Sequence, residues 1–332
     1  MRTPLSKKLR RIGRRIGIDT TTALRLDNLA RASERRDMRR RSRPFVRVLF
    51  LHETPAEEAS RFRQQLSFLR DHFTVIDFDT FKNLFDGSAA LPDDRPAAML
   101  TFDDGMASNY EVAAPLLEDA GMRGVFFVVP RFSLCDERAA RRFYVERVRN
   151  RPPGLTAMTP EQIRDLADRG HTIGNHTLTH ARLSQTPESE WESEILDSAD
   201  IIESWIGRRV EAFSWPFRWD AITPDVHRLA IARHPLCFSP CSGRVDLQTD
   251  SPTILWRTSV ETSYDLAEFR FKCSRLADYV SASRRRRLAS WLRANARASV
   301  VAELAHADSQ PERRPEEIEI ARGHVEIDTA RP

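Results

Sequence analysis

The run Ala97-Ala98-Met99-Leu100-Thr101-Phe102 shows no polar alternation, and it stops at Asp103-Asp104-Gly105. A strand with no polar face must be covered on both sides, and such strands belong to parallel sheets flanked by helices. The rest of the chain agrees with that constraint. Strands are expected at 45–52, 74–78, 97–102, 124–129, 171–174 and 210–215, and helices at 57–72, 80–85, 110–120, 160–169 and 187–206, with Gly or Pro between them. Repeated βα units imply a parallel α/β sheet, most simply a distorted barrel, although alternation alone leaves an open sheet possible. A domain of about 220 residues is large enough to bury one core.

In parallel sheets and barrels the C-terminal strand ends carry the reacting groups. Asp103 and Asp104 stand at such an end. Adjacent strand residues point to opposite sides, so both carboxylates reach one site only if the strand breaks there, and Gly105 permits the break. About seventy residues later comes His176-x-x-x-His180, after the turn-like stretch Arg169 to Asn175. A spacing of four places both imidazoles on one face of a helical turn. Asp-Asp alone is common in solvated turns, and HxxxH alone on exposed helix faces. Together, one carboxylate and two imidazoles hold a divalent metal with positions left open, which is a catalytic set rather than a structural one.

Three segments make the reading specific. Thr101 to Gly105, His176-Thr177-Leu178-Thr179-His180 and Phe213-Ser214-Trp215-Pro216-Phe217 resemble, in order, the TFDDG, H-[ST]-x-x-H and F-x-[YW]-P-[YF] motifs of the NodB-homology polysaccharide deacetylases, carbohydrate esterase family 4. Val48 to His52 and Trp256-Arg257-Thr258-Ser259-Val260 resemble stretches of the exopolysaccharide-associated branch. The resemblance covers roughly residues 45 to 262. It implies a distorted (β/α)7 barrel. Two departures stand out: Ser214 where many members carry Arg, and Arg218 where many carry Gly. The late Asp and Leu-x-His motifs that supply a general acid in some branches have no clear counterpart.

The roles that follow are expectations. Asp104, His176 and His180 hold a divalent cation, with zinc the expected ion, which activates a water for attack on an acetamide. Asp103 is the general base, and Arg257 orients Asp103 or another site carboxylate. His52, a water or protonated Asp103 supplies the proton to the leaving amine. Trp215, Pro216 and Phe217 form the sugar-facing wall. The expected activity is removal of N-acetyl groups from an amino-sugar polysaccharide or lipid-linked oligosaccharide. Two other readings stay open: a catalytically degenerate glycan-binding scaffold, and a hydrolase of a non-sugar amide on the same metal site. The phosphate-binding and dinucleotide glycine loops are absent, as is a serine elbow.

Charge divides the chain. Residues 1–43 hold 15 Lys or Arg against 4 Asp or Glu, a net of +11; the whole chain is +4, so residues 44–332 carry −7. The expected organisation is a basic N-terminal arm (1–44), a catalytic domain (45–275) and a C-terminal helix with a polar tail (276–332). Leu5, Leu9, Ile12 and Ile16 recur at helical steps in the arm, which suits peripheral contact with anionic lipid. Nucleic acid is disfavoured, because no aromatic residue precedes Phe45 to stack a base. No apolar segment follows Arg14-Arg15, and Cys135, Cys237, Cys241 and Cys273 form no C-x-x-C pair. Reduced thiols and a cytoplasmic location, with possible contact at the inner membrane surface, are the expectation. An Arg-rich insertion at 135–157 is expected beside the catalytic mouth, and Arg284 to Arg287 open an amphipathic helix.

Overall fold

A computed structural model describes residues 45–136, 138, 139, 142, 156–217, 222–274, 277, 278, 282, 283 and 285–292. The basic arm, most of the Arg-rich insertion, Arg218, Arg284 and the tail beyond 292 lie outside the described residues. The strands are β1 (Phe45–Leu51), β2 (Thr74–Val75), β3 (Ala97–Phe102), β4 (Gly124–Val128), β5 (Thr172–Asn175), β6 (Ala212–Ser214), β7 (Leu236–Phe238), β8 (Val245–Asp246) and β9 (Thr258–Ser259). The helices are α1 (Ala59–His72), α2 (Phe78–Asp86), α3 (Ala114–Asp119), α4 (Pro130–Ser133), α5 (Pro160–Asp168), α6 (Ser198–Ile206), α7 (Pro224–Arg233) and α8 (Leu266–Lys272).

The sheet runs β7-β6-β5-β4-β3-β1, each neighbouring pair parallel. Residues 255–259 then close it. Leu255 bridges Phe238 in parallel, and β9 pairs in parallel with Leu49 and Phe50 of β1. Leu255 N donates to Cys237 O at 2.8 Å and Val260 N to Phe50 O at 3.0 Å. This seventh parallel segment makes the architecture a distorted (β/α)7 barrel, closed through a short contact. β8 pairs antiparallel with the start of β1, at Phe45 and Val46.

The continuous apolar strands are covered on both faces, as their composition demands. All seven residues of β1 and all six of β3 are buried. Leu49, Leu51, Ala98, Leu100 and Phe102 pack outward with Phe62, Leu66 and Leu69 of α1 and Leu117 of α3. Val46, Val48, Ala97 and Met99 pack in a second cluster with Phe81 and Leu84 of α2 and with Phe238. Period-two alternation thus assigns Leu49 and Leu51 of β1 to one cluster and Val46 and Val48 to the other. Among the described residues, no helix is long and apolar enough to cross a membrane.

Local chemistry corrects several expected boundaries. The strand at 74–78 is only Thr74–Val75, because Asp77 caps α2 by accepting from Thr80 N at 2.8 Å and helix begins at Phe78. The helix expected over 187–206 runs unbroken from Glu188 to Ile206, but it opens on a 3₁₀ turn at Glu188–Glu190 and carries a π turn at Ser193–Asp197 before α6. α5 starts where Thr159-Pro160 places it, with a Thr159–Gln162 capping box. After 275 the chain returns to the barrel, where Asp278 takes a bidentate contact from buried Arg47 at 3.0 and 3.0 Å.

His171, His227 and His234 are buried structural histidines. His234 is fully enclosed: its Nδ1 donates to Ala230 O at 3.2 Å, and its Nε2 faces Asn175 Nδ2 at 3.4 Å. Burial first, and nearby Arg233 second, lower its pKa to about 3 from 6.5. The unfolded chain therefore takes a proton that the fold refuses. Stability supplied by neutral His234 is intact above pH 6.5 and is lost as pH falls toward 3, at about 1.4 kcal/mol per pH unit. The stability cost of His234→Gln, from urea unfolding, should be about 2 kcal/mol smaller at pH 5 than at pH 7.5. A cost that does not change with pH would contradict the neutral assignment.

Candidate active site

The residues at the C-terminal ends of the strands converge on one cavity of about 120 Å³, lined by Phe50, His52, Asp103, Asp104, His176, His180, Trp215, Phe217, Pro240 and Arg257. They come from the ends of β1, β3, β5, β6 and β7 and from the closing segment beside β9. Chain reversal at those ends brings them inward. Asp104 has φ of 75° and Gly105 of 66°, so the strand breaks within the acidic pair itself. Asp104 bears a left-handed backbone that a non-glycine residue adopts only under constraint. The two carboxylates thereby face the same cavity although they are neighbours in sequence.

The two histidines share a site but not a helix. Thr177 has φ of 67° and His180 of 53°, and residues 176–180 contain no helical turn. The expectation of one helical face is corrected: two left-handed residues fold the segment into a tight turn that brings the imidazole centroids to 5.0 Å. Gly174, two residues before His176, leaves room for Phe127. A Cβ there would lie 2.4 Å from the Phe127 ring, and that ring packs against His176 at 6.4 Å.

Asp104, His176 and His180 form a group whose ligand atoms all lie within 4.8 Å of one another. Asp104 Oδ1 is 3.5 Å from His176 Nε2 and 3.4 Å from His180 Nε2. Two ligands about 2.0–2.1 Å from one tetrahedral ion stand about 3.3 Å apart, so these separations fit a shared metal better than ordinary hydrogen bonds. The tautomer of His176 agrees. Its Nδ1 lies 2.7 Å from Ser214 O, which can only accept, so the proton sits on Nδ1 and the Nε2 lone pair faces Asp104. Burial pushes the Asp104 carboxyl up, but without a metal, hydrogen bonds donated by His176 and His180 and the charge of His52 hold it well below the usual range. The donor set fits a divalent ion.

Asp103 is held by a different partner. Arg257 donates from Nη1 to Oδ1 at 2.7 Å and from Nη2 to Oδ2 at 2.9 Å, a bidentate fork. The guanidinium is fully buried, stacks over Phe50 at 4.4 Å, and also donates to Ser214 Oγ at 2.7 Å and Thr101 Oγ1 at 3.3 Å. Burial raises the Asp103 pKa, but the charge and hydrogen bonds of Arg257 and the nearby His176 and His52 together outweigh it and leave it lowered. Ser214 therefore serves both halves of the site, its carbonyl toward His176 and its hydroxyl toward Arg257. Here an arginine from residues 255–259 occupies the space beside Asp103 that Ser214 leaves open.

The remaining expected residues divide. His52 lines the cavity, its ring edge-on to Phe50 at 5.6 Å. The loop after it is tied down by Thr54 N donating to Ser108 Oγ and Thr54 Oγ1 to Asn109 Oδ1, both at 3.1 Å. Trp215 lines the wall and is buried; Phe217, with φ of 63°, is 40% exposed at the mouth and lies 4.6 Å from the His180 ring. Pro216 is buried and does not line the cavity, whereas Pro240 does. The geometry therefore moves the expected wall from Pro216 to Pro240. Sequence reasoning assigned no role to Phe50 or to the Ser214 hydroxyl, which here meet the Arg257 guanidinium. Phe50 alone carried a signal, being two residues before His52 on one strand face. Of the arginines of the 135–157 insertion, only Arg138 and Arg142 fall among the described residues.

Comparison with known proteins agrees with this geometry. Residues 90–230 match the family model described as polysaccharide deacetylase. The Bacillus subtilis protein YxkH is 25% identical over 118 residues, 36% of each chain. The peptidoglycan-N-acetylglucosamine deacetylase of Bacillus cereus is 26% identical over 117 residues, 35% of this chain and 44% of its own. The chain thus spans well under half the length of these relatives. Among solved structures, the Streptococcus pyogenes deacetylase PplD superposes with a TM-score of 0.54 at 18% identity, over 68% of this chain and 96% of its own. IcaB of Ammonifex degensii gives 0.54 at 21%, over 69% and 97%. At these identities the structures speak for the fold. The family match runs through the first three motifs and leaves His52 and Arg257 to be placed by geometry alone.

Proposed function

We propose that this chain, a member of the polysaccharide deacetylase family of the NodB-homology type, hydrolyses N-acetyl groups on an amino-sugar glycan. The observation that carries the reading is the convergence of a three-ligand metal group and an arginine-held carboxylate in one cavity. Two imidazole nitrogens and one carboxylate oxygen with positions left open suit zinc. A divalent ion bound there would supply polarisation of an amide carbonyl and acidification of a water. Asp104, His176 and His180 would hold it.

The chain's own groups then have distinct tasks. Asp103, ionised and fixed by Arg257, accepts a proton from the attacking water. His52, on the cavity wall, supplies the proton that the departing amine needs. The acyl carbon gains an oxygen and loses the nitrogen, giving acetate and a free amine. Phe50, Trp215 and Pro240 exclude water around the acetyl group. Phe217, an exposed aromatic at the mouth, offers a face for a sugar ring.

The test is elemental analysis of the purified chain together with acetate release from N-acetylated oligosaccharides. His176→Ala and His180→Ala are expected to lose most of the bound metal while keeping the fold by circular dichroism. Full metal occupancy in both variants would remove the ligand assignment.

A further inference from the structure

The turn that carries both histidines is held from outside: Arg131 N donates to Leu178 O and His176 N to Val128 O, each at 3.0 Å, and one short segment supplies further bonds. Leu178 N donates to Glu194 O at 3.0 Å. Thr179 N donates to Glu194 Oε2 at 3.0 Å, and Thr179 Oγ1 to Glu194 Oε1 at 2.6 Å. Glu194 is 4% exposed, and its carboxylate spends both oxygens on Thr179. Just before the turn, Asn175 is equally committed. Its Nδ2 donates to Ile195 O at 2.9 Å, and its Oδ1 accepts from Thr177 N at 2.9 Å and Ser198 Oγ at 2.7 Å.

Both main-chain acceptors, Glu194 O and Ile195 O, belong to the π turn Ser193–Asp197. A π turn inserts one residue into a helix and changes where its carbonyls and side chains point. Such an insertion costs helix stability, so it persists where something else is gained. Here it directs one carboxylate and two carbonyls at residues 175–179. The left-handed Thr177 and His180 are the strained positions of the turn, and the bonds from Asn175 and Glu194 fall on Thr177, Leu178 and Thr179 between the two histidines.

We propose that Glu194 is a positioning residue for the metal site: presented by the π turn, it fixes the left-handed turn that aims His176 and His180 at Asp104. This rests on the metal reading of that group. Hydrogen-bond geometry, rather than charge, carries the effect. A glutamine can accept from Thr179 N through its oxygen and donate to Thr179 Oγ through its amide, with the hydroxyl rotated. The glutamine variant should therefore rescue what alanine loses.

The experiment is competitive titration of the metal-free full chain with Zn²⁺ against a chromophoric chelator, with urea unfolding of each metal-free variant alongside. Glu194→Ala should bind zinc about 10–100-fold more weakly, the usual cost of losing a group that orients a ligand. Glu194→Gln should bind close to the unsubstituted chain. Equal affinity in folded Glu194→Ala would overturn the proposal, and so would a Glu194→Gln loss as large as that of alanine. Should Glu194→Ala fail to fold, Thr179→Val decides. It keeps the shape and removes one of the two bonds to the carboxylate, so its zinc affinity should fall, and an unchanged value would overturn the proposal. If the unsubstituted chain binds no zinc, the metal reading itself fails, which these variants do not mimic.

Discussion

Asparagine at position 103 is expected to leave the metal group filled while acetate release slows by about 10²–10⁴-fold, the range for a positioned proton acceptor. The structure separates the two effects because Asp103 and Asp104 have different partners. Asp104 faces His176 and His180, whereas Asp103 faces Arg257. An asparagine keeps the shape and one acceptor for the guanidinium. Arg257 retains Ser214 Oγ at 2.7 Å, Thr101 Oγ1 at 3.3 Å and Ser239 O at 3.4 Å. What disappears is the carboxylate's ability to take a proton. The depressed pKa of Asp103 keeps it ionised, in the form a base requires, at some cost in driving force. Metal content by elemental analysis and kcat for acetate release measure the two effects independently. Turnover near the unsubstituted rate would move the base elsewhere.

The parts of the fold that the sequence made legible are those with long, strongly patterned segments. Ala97–Phe102 had to be a two-face-buried strand, and its two acids had to follow a strand end. The closing strand was not legible. Residues 255–259 make pairs of only one or two residues on each side, too few to leave a period. Within the site, the ligand types and their order could be read, but the turn geometry could not. A spacing of four suits a helix, and nothing in His176-Thr177-Leu178-Thr179-His180 announces two left-handed residues. Thr179 is bonded by Glu194, fifteen residues away, and Asn175, which bonds Thr177 N locally, is itself anchored by Ile195 and Ser198. The π turn was hidden for a related reason: its segment has helical composition, and the irregularity is stabilised by what it reaches.

The largest stability effect is expected at Arg257, and it bears on how the base is built. Arg257→Met leaves the buried Asp103 carboxylate without its guanidinium, and breaking one side of a buried pair costs about 3–5 kcal/mol. Lysine should recover only part of this, because a point charge cannot span both Asp103 oxygens and Ser214 Oγ together. The pair is best tested as a cycle in urea unfolding of metal-free protein. Combining Asp103→Asn with Arg257→Met removes both charges, so the double variant should be more stable than Arg257→Met alone. It should nevertheless stay inactive, since no carboxylate remains to accept the proton. Recovery of stability in the double variant would mean that the fork stabilises the barrel end. If Arg257→Met unfolds at the same urea midpoint as the unsubstituted chain, the buried ion pair contributes little, and Asp103 must be oriented by the strand break at Asp104-Gly105 instead.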